Sequence, residues 1–126
     1  MLEMKTVFPG FYVQRTIHIH AQVFTNYVLH SNGTVLTGNS NSIGHFYFND
    51  TITETIMAQE PYVSHTQINH TTNAEDNYYT GGFAHGNNPV MDIVAVDGED
   101  ITKGMIGYIT IGIDTEANPE LDPPRS

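Results

Sequence analysis

Residues 8–20 read FPGFYVQRTIHIH, and the second half of this stretch decides the fold prediction. From Arg15 the sequence continues as RTIHIHAQVF, in which apolar and polar side chains alternate. One face would carry Ile17, Ile19, Ala21 and Val23, and the other would carry Thr16, His18, His20, Gln22 and Phe24. This alternation predicts a β-strand with one apolar face and one face that carries chemistry.

The two histidines of this strand are candidate metal ligands. His18 and His20 leave the same face about 7 Å apart at the backbone, so both imidazoles can reach one metal ion. The pair alone also fits two half-exposed strand histidines without a metal. Two known β folds with histidine ligands fit poorly. A cupin needs a carboxylate where this chain has Phe24 and Thr25, and a copper–zinc dismutase needs further histidines and usually a disulfide, whereas cysteine is absent.

Composition limits the partners of the chain. Its 126 residues are enough for one domain with a modest core. Fourteen acidic against four basic side chains give a net charge of −10, which repels nucleic acid and anionic membranes. No apolar run approaches the roughly 18 residues of a membrane span. We therefore expect no nucleic-acid partner and no membrane association.

The remaining sequence predicts an all-β domain with one short helix. Residues 43–48 (IGHFYF), 90–98 and 105–114 are read as strands, and residues 50–61 as a helix with capping-box spacing between Thr51 and Glu54. The stretch 68–89 is read as a long loop with room for one helical turn. Residues 1–115 would form the domain, and residues 116–126 a disordered, acidic, proline-bearing tail.

Localisation is predicted from glycosylation motifs. Asn32, Asn49 and Asn69 each begin an Asn-x-Ser/Thr sequon, which favours an extracellular protein. The first ten residues lack the apolar region of a signal peptide. The two observations agree if the natural chain begins further upstream.

Tyr12 and Arg15 precede the histidines by six and three residues and make the motif specific. A tyrosine phenolate is a hard anionic ligand that suits Fe(III) better than zinc. The segment TVFPGFYVQRTIHIHAQV, residues 6–23, resembles the iron-binding segment of the intradiol ring-cleavage dioxygenases, most closely their fungal extracellular branch. SIGHFYFND, TTNAEDNYY and GYITIGIDT resemble later parts of that family in the same order, so the resemblance covers residues 5–115.

The resemblance implies a fold, a cofactor and an activity. The fold would be an antiparallel β-sandwich that is truncated at its N-terminus. The cofactor would be non-haem Fe(III), and the activity would be cleavage of a catechol by O2 between its two hydroxylated carbons. His18 and His20 match the imidazole ligands, Tyr12 matches the tyrosine that catecholate displaces, and Arg15 matches the arginine that stabilises negative charge on the ring. Exposed apolar strand surfaces would favour oligomers of the chain.

The sequence departs from the family in two places. The family's first tyrosine ligand lies upstream of FPG, and no tyrosine here matches it, so we expect ring cleavage by this chain to be impaired. His45 stands where the family usually has a glutamine near substrate and oxygen. It could hydrogen-bond like that glutamine in the catalytic site, bind the metal, or do neither. The alternative function is a non-catalytic β module that binds a metal or an aromatic ligand.

Overall fold

The computed structural model describes residues 1–117, apart from the side chain of His85. The predicted tail at 116–126 therefore lies outside the described residues from position 118 onward. The described part consists of short strands and helices joined by turns. These are β1 (His18–Thr25), β2 (Val28–Leu29), β3 (Val35–Leu36), β4 (Asn39–Tyr47), α1 (Asp50–Met57), α2 (Asn77–Gly81), β5 (Asp92–Ala95) and β6 (Met105–Tyr108).

The strands form three two-stranded sheets within residues 1–117. Strand β1 pairs with β4, β2 runs antiparallel to β3, and β5 runs antiparallel to β6. Along β1, Ile19, Ala21 and Val23 are half-buried while His20 and Gln22 are exposed. The predicted alternation is therefore confirmed over the middle of the strand, and the β-rich fold class is confirmed as well.

One compact unit consists of Met1–Ile19 and Phe46–Ile109. Its core is small, because the fully buried apolar side chains are few. They are Ile17, Tyr47, Phe48 and Ile56. Phe8 extends this core by packing on Phe48 with ring centroids 4.5 Å apart. Several polar side chains are equally buried, so their hydrogen bonds carry a large share of the specificity of this unit.

Helix α1 forms where the sequence predicted a helix, but its cap differs from the prediction. The side chain of Asn49 accepts a hydrogen bond from the Thr51 amide at 3.0 Å, so Asn49 is the N-cap. Asp50 in the first turn is favourably placed towards the helix dipole. Thr53 and Ile56, three residues apart, form the buried face. The spacing of Thr51 and Glu54 is therefore not used as a capping box.

A second short helix, α2, lies within residues 68–89, the stretch that was read as a loop with room for one helical turn. It forms because the carboxylate of Asp76 accepts a hydrogen bond from the Tyr78 amide at 2.8 Å and caps its first turn. Just before it, Thr72 and Glu75 form a capping box on a single 3-10 turn. These caps turn a polar, loop-like sequence into ordered structure.

A second compact unit consists of His20–His45 and the residues from Thr110 onward. The short hairpin of β2 and β3 turns at Gly33, whose φ of +84° suits glycine. The buried residues of this unit include Ser40 and Asn41, which are polar. The large apolar side chains of its hairpin are exposed, namely Val28, Leu29, Val35 and Leu36. Burial of apolar surface therefore contributes little to the stability of the hairpin.

Neither helix of the described residues has the length and apolar character needed to cross a membrane.

Candidate metal and ligand site

His18 is the first residue of β1, and its tautomer follows from its hydrogen bonds. Its side chain is buried, and its Nδ1 lies 2.7 Å from the carbonyl oxygen of Thr16. A carbonyl oxygen only accepts, so Nδ1 carries the proton and donates it. The lone pair is then on Nε2, which is the arrangement found in metal-binding histidines. The backbone of Thr16 thus prepares His18 to act as a ligand through Nε2.

Tyr12 lies at that nitrogen. Its hydroxyl is 3.1 Å from His18 Nε2, and since Nε2 is the acceptor, the tyrosine donates. The two rings meet edge to face with centroids 5.5 Å apart. Tyr12 is about half exposed, so a ligand from solvent can reach its hydroxyl. The phenol oxygen and the imidazole nitrogen therefore converge on one point.

A tight turn presents Tyr12 and Arg15 together. The Arg15 amide donates to the Tyr12 carbonyl at 3.3 Å, which closes a four-residue turn. Gln14 occupies the third position with φ +63°, in the left-handed region that favours glycine. This turn lets the Arg15 side chain return to Tyr12, whose hydroxyl accepts a hydrogen bond from Nη1 at 3.3 Å.

His20 and His45 contact each other through their rings. Their centroids are 4.5 Å apart and the planes are nearly perpendicular, at 89°. His20 lies on β1 and His45 on β4, so two imidazoles of the second compact unit stand side by side.

Arg15 is held against an anion. Its Nε donates to Asp76 Oδ2 at 2.8 Å, and the Asp76 side chain is only 1% exposed. Burial alone would raise the pKa of the Asp76 carboxyl. The hydrogen bonds from Arg15 and from two backbone amides outweigh that effect, so this pKa lies below its ordinary value. Both groups therefore remain charged at neutral pH.

Tyr47 is the buried tyrosine next to this cluster. Its ring centroid lies 6.1 Å from that of His18, and its side chain is 1% exposed. Burial raises the pKa of its phenol, and the charge of Asp76 acts in the same direction, while Arg15 opposes both. Tyr47 is therefore a neutral phenol at physiological pH, whereas an iron-binding tyrosine must ionise.

The structure places the five residues singled out from the sequence around β1 and its neighbour β4. Tyr12 contacts Arg15 and His18, and His20 contacts His45. Sequence reasoning missed Asp76, which is 61 residues from Arg15 in the chain. No local pattern reveals an ion pair of that separation. A weaker local signal was present, because Asp76 directly precedes a stretch that becomes helical.

Comparisons with known proteins agree with the predicted fold. No family model and no curated protein match the chain. Among solved structures, it is similar to an intradiol ring-cleavage dioxygenase from Tetranychus urticae, with a TM-score of 0.69 and 24% identity over 90% of this chain. A second solved dioxygenase gives a TM-score of 0.67 and 23% identity over 89% of the chain. The chain spans 47% and 46% of these two proteins, so it has the fold of about half of an intradiol dioxygenase.

Proposed function

We propose that this chain is the metal-binding part of an intradiol dioxygenase-like oxidoreductase. Tyr12, His18 and His20 would hold a non-haem iron ion, and Arg15 would face a catecholic ligand that reacts with O2. The observation that carries the proposal is the convergence of the Tyr12 hydroxyl on His18 Nε2, with the Arg15 guanidinium bonded to the same hydroxyl. Such an arrangement supplies an anionic ligand, a neutral ligand and a fixed positive charge at one point.

The donor set fits a single iron ion. Tyr12 offers a phenolate oxygen, which Fe(III) prefers, and His18 and His20 offer imidazole nitrogens. His45 adds a further imidazole beside His20. The family resemblance implies a second tyrosinate ligand, and in the sequence comparison no tyrosine of residues 1–117 takes that position. We therefore expect iron to be held more weakly here than in a site with two tyrosinates.

Each residue has a definite task in the proposed reaction. When bound, Fe(III) would draw electron density from a catecholate ring and make the ring reactive towards O2. Tyr12, being half exposed, could leave its position when a catechol binds and, as a phenolate, would take up one of the two catechol protons, while the other passes to solvent. Arg15 cannot lose its proton, so its guanidinium can stabilise negative charge on the ring throughout. His45 would hydrogen-bond the ligand from β4.

Ferric iron added from a weak chelate tests the site through colour. Tyrosinate bound to Fe(III) gives a visible charge-transfer band, and we expect one band that is lost in Tyr12→Phe. His18→Ala should weaken iron binding by at least 10-fold, since even outer-shell changes at metal sites cost that much. Tyr27→Phe is the matched control, because Tyr27 is exposed and outside the cluster. An unchanged band in Tyr12→Phe would refute the assignment.

Oxygen uptake with a panel of catechols tests the activity. We expect residues 1–126 alone to turn over little, because loss of Tyr12 on catecholate binding would leave neutral imidazoles as the protein ligands. Two neutral ligands cancel none of the charge of the ion, and catecholate is itself a strong chelator. Sustained formation of a muconate-type product would contradict the expected impairment and would mean that another tyrosine, or His45, has taken the place of the missing ligand.

The second candidate function is a module that binds a metal or an aromatic ligand without turnover. The contact of the His20 and His45 rings favours it, since neighbouring histidines are typical ligands of divalent ions such as Zn²⁺. Cobalt(II) absorption distinguishes the two, because a tetrahedral site rich in nitrogen gives intense visible bands. His45→Gln should reduce cobalt affinity if His45 is a ligand and should leave it unchanged if His45 only contacts substrate.

We also propose that the protein is extracellular and self-associates. Asn32, Asn49 and Asn69 are all exposed, as glycan attachment requires. The exposed apolar hairpin of β2 and β3 supports association between chains. Secretion from a eukaryotic host followed by glycosidase treatment should lower the apparent mass, and sedimentation should show species larger than a monomer. A glycan-free monomer would contradict both expectations.

A further inference from the structure

Asp76, in the first compact unit, connects the start of α2 with the segment Arg15–Thr16. It precedes α2, and its side chain is almost fully buried, with 1% exposure. Burial of a carboxylate is costly unless the charge is paired and hydrogen-bonded. The carboxylate of Asp76 accepts three hydrogen bonds, and the positions of the three donors indicate its structural role.

The two oxygens of Asp76 have separate partners. Oδ1 accepts from the Tyr78 amide at 2.8 Å and caps α2. Oδ2 accepts from Arg15 Nε at 2.8 Å and from the Thr16 amide at 2.9 Å. Thr16 lies two residues before His18 and its carbonyl accepts from His18 Nδ1. One carboxylate oxygen therefore fixes both the head of Arg15 and the backbone segment that orients His18.

The other sides of the Arg15 guanidinium are also occupied. Its Cζ lies 4.5 Å from the centre of the Tyr78 ring, a distance typical of a cation–π contact. Nη1 donates to the Tyr12 hydroxyl at 3.3 Å. The guanidinium also acts on the buried Tyr47 phenol, where its charge and a side-chain hydrogen bond oppose the rise of the Tyr47 pKa.

We propose that Asp76 is a positioning residue that aims Arg15 at the ligand of the proposed function, on which this inference rests. Asp76 binds the guanidinium through Nε, and Nη1 of the same planar group then lies at the Tyr12 hydroxyl. Because the Oδ1 cap fixes Asp76 at the start of α2, hydrogen bonds of this one side chain connect the helix, Arg15 and the segment that orients His18. Asp76 itself touches neither metal nor ligand.

Asp76→Asn separates positioning from helix capping. Asparagine is as good an N-cap as aspartate and retains the Oδ1 acceptor, but it presents N–H groups where Oδ2 stood. It therefore keeps α2 and loses the acceptor for Arg15 and Thr16. Asp100→Asn is the matched control, because Asp100 caps a 3-10 turn through the Thr102 amide and its side chain is 41% exposed.

Two readouts distinguish this inference from the proposed function. The first is hydrogen exchange of the Arg15 Nε–H, measured in ¹⁵N spectra. The chain has one other arginine, Arg125, so the signal that disappears in Arg15→Lys belongs to Arg15. We expect exchange at least 10-fold slower than in free arginine, with this protection lost in Asp76→Asn and kept in Asp100→Asn. This readout needs no metal, so it stands even if iron does not bind.

The second readout is catechol affinity of the iron-loaded chain. Asp76→Asn should weaken catechol binding at least 10-fold while iron affinity stays within threefold, because no ligand atom is removed. Unchanged Nε–H exchange, or lost protection with unchanged catechol affinity, would overturn the proposal. If Asp76→Asn does not fold, Asp76→Glu replaces it. That variant keeps the charge but moves the carboxylate by one methylene, so positioning predicts loss of both readouts and charge compensation predicts that both are retained.

Discussion

Asn73→Ala should be among the most destabilising substitutions in this protein. The Asn73 side chain is 5% exposed and joins two segments that are distant in sequence. Its Nδ2 donates to the Phe48 carbonyl at 2.7 Å, and its Oδ1 accepts from the Thr16 hydroxyl at 2.7 Å. Alanine leaves both partners buried without a hydrogen bond.

The size of the effect follows from those two groups. Each buried polar group left without a partner costs about 1–3 kcal/mol, so the two groups freed in Asn73→Ala should lower the free energy of unfolding by about 2–6 kcal/mol. A whole domain is stable by only about 5–15 kcal/mol, so this loss is a large fraction. Thr16→Val should cost about 1–2 kcal/mol alone and close to nothing in the Asn73→Ala background, where the hydroxyl has already lost its acceptor.

Urea unfolding followed by circular dichroism measures this double-mutant cycle. Asn88→Ala is the control, since the Asn88 side chain makes a hydrogen bond, from the Val90 amide, but is exposed, and it should cost less than about 0.5 kcal/mol. A loss below about 1 kcal/mol for Asn73→Ala, or strictly additive effects of the two substitutions, would refute the reasoning that this buried pair joins the segments.

Three further predictions concern other parts of the first unit. The pKa of Asp76 is lowered in the folded state, so its contribution to stability is complete above the unfolded pKa of about 3.9 and disappears as the pH falls through the folded pKa. Urea midpoints measured between pH 2 and 6 should therefore fall at the acid end of this range, and Asp76→Asn should make that fall smaller. Gln14→Val should lower stability by at least about 1 kcal/mol, because a β-branched residue resists φ +63°, whereas Gln14→Gly should be tolerated; equal melting temperatures would contradict this. Ile56→Ala should cost about 2–5 kcal/mol against little for exposed Val63→Ala, and similar urea midpoints for the two variants would mean that Ile56 is not part of the core.

The parts of the fold that the sequence predicted are those set by local pattern. Period-two alternation predicted β1, and the segment before Pro61 predicted α1. The sequence predicted that the first strand starts at Arg15, whereas β1 starts at His18. The turn Tyr12–Arg15 was missed because its third residue is Gln14, and glutamine gives no turn signal. Strands as short as β2 and β3 carry too few residues to show a period.

The site was predictable to the extent that its residues are neighbours in sequence. Tyr12, Arg15, His18 and His20 lie within nine positions, and their resemblance to a family motif identified them together. The contact between His20 and His45 depends on strand pairing, and the pairing of Arg15 with Asp76 spans 61 positions. Such contacts follow from tertiary packing, and no local rule of sequence encodes them.

The hydrogen bond between Tyr12 and His18 has a consequence for proton balance. Its proton lies between the two atoms that a metal would bind, since the phenol donates to Nε2 across 3.1 Å. An ion that takes both atoms must expel this proton, so loading by that route releases one proton from Tyr12 alone. As long as the metal-free protein carries this proton on Tyr12, its apparent affinity for such an ion would rise up to tenfold for each unit by which the pH increases. A dye that reports proton release, read during metal titration, would count that proton, and Tyr12→Phe would release one fewer.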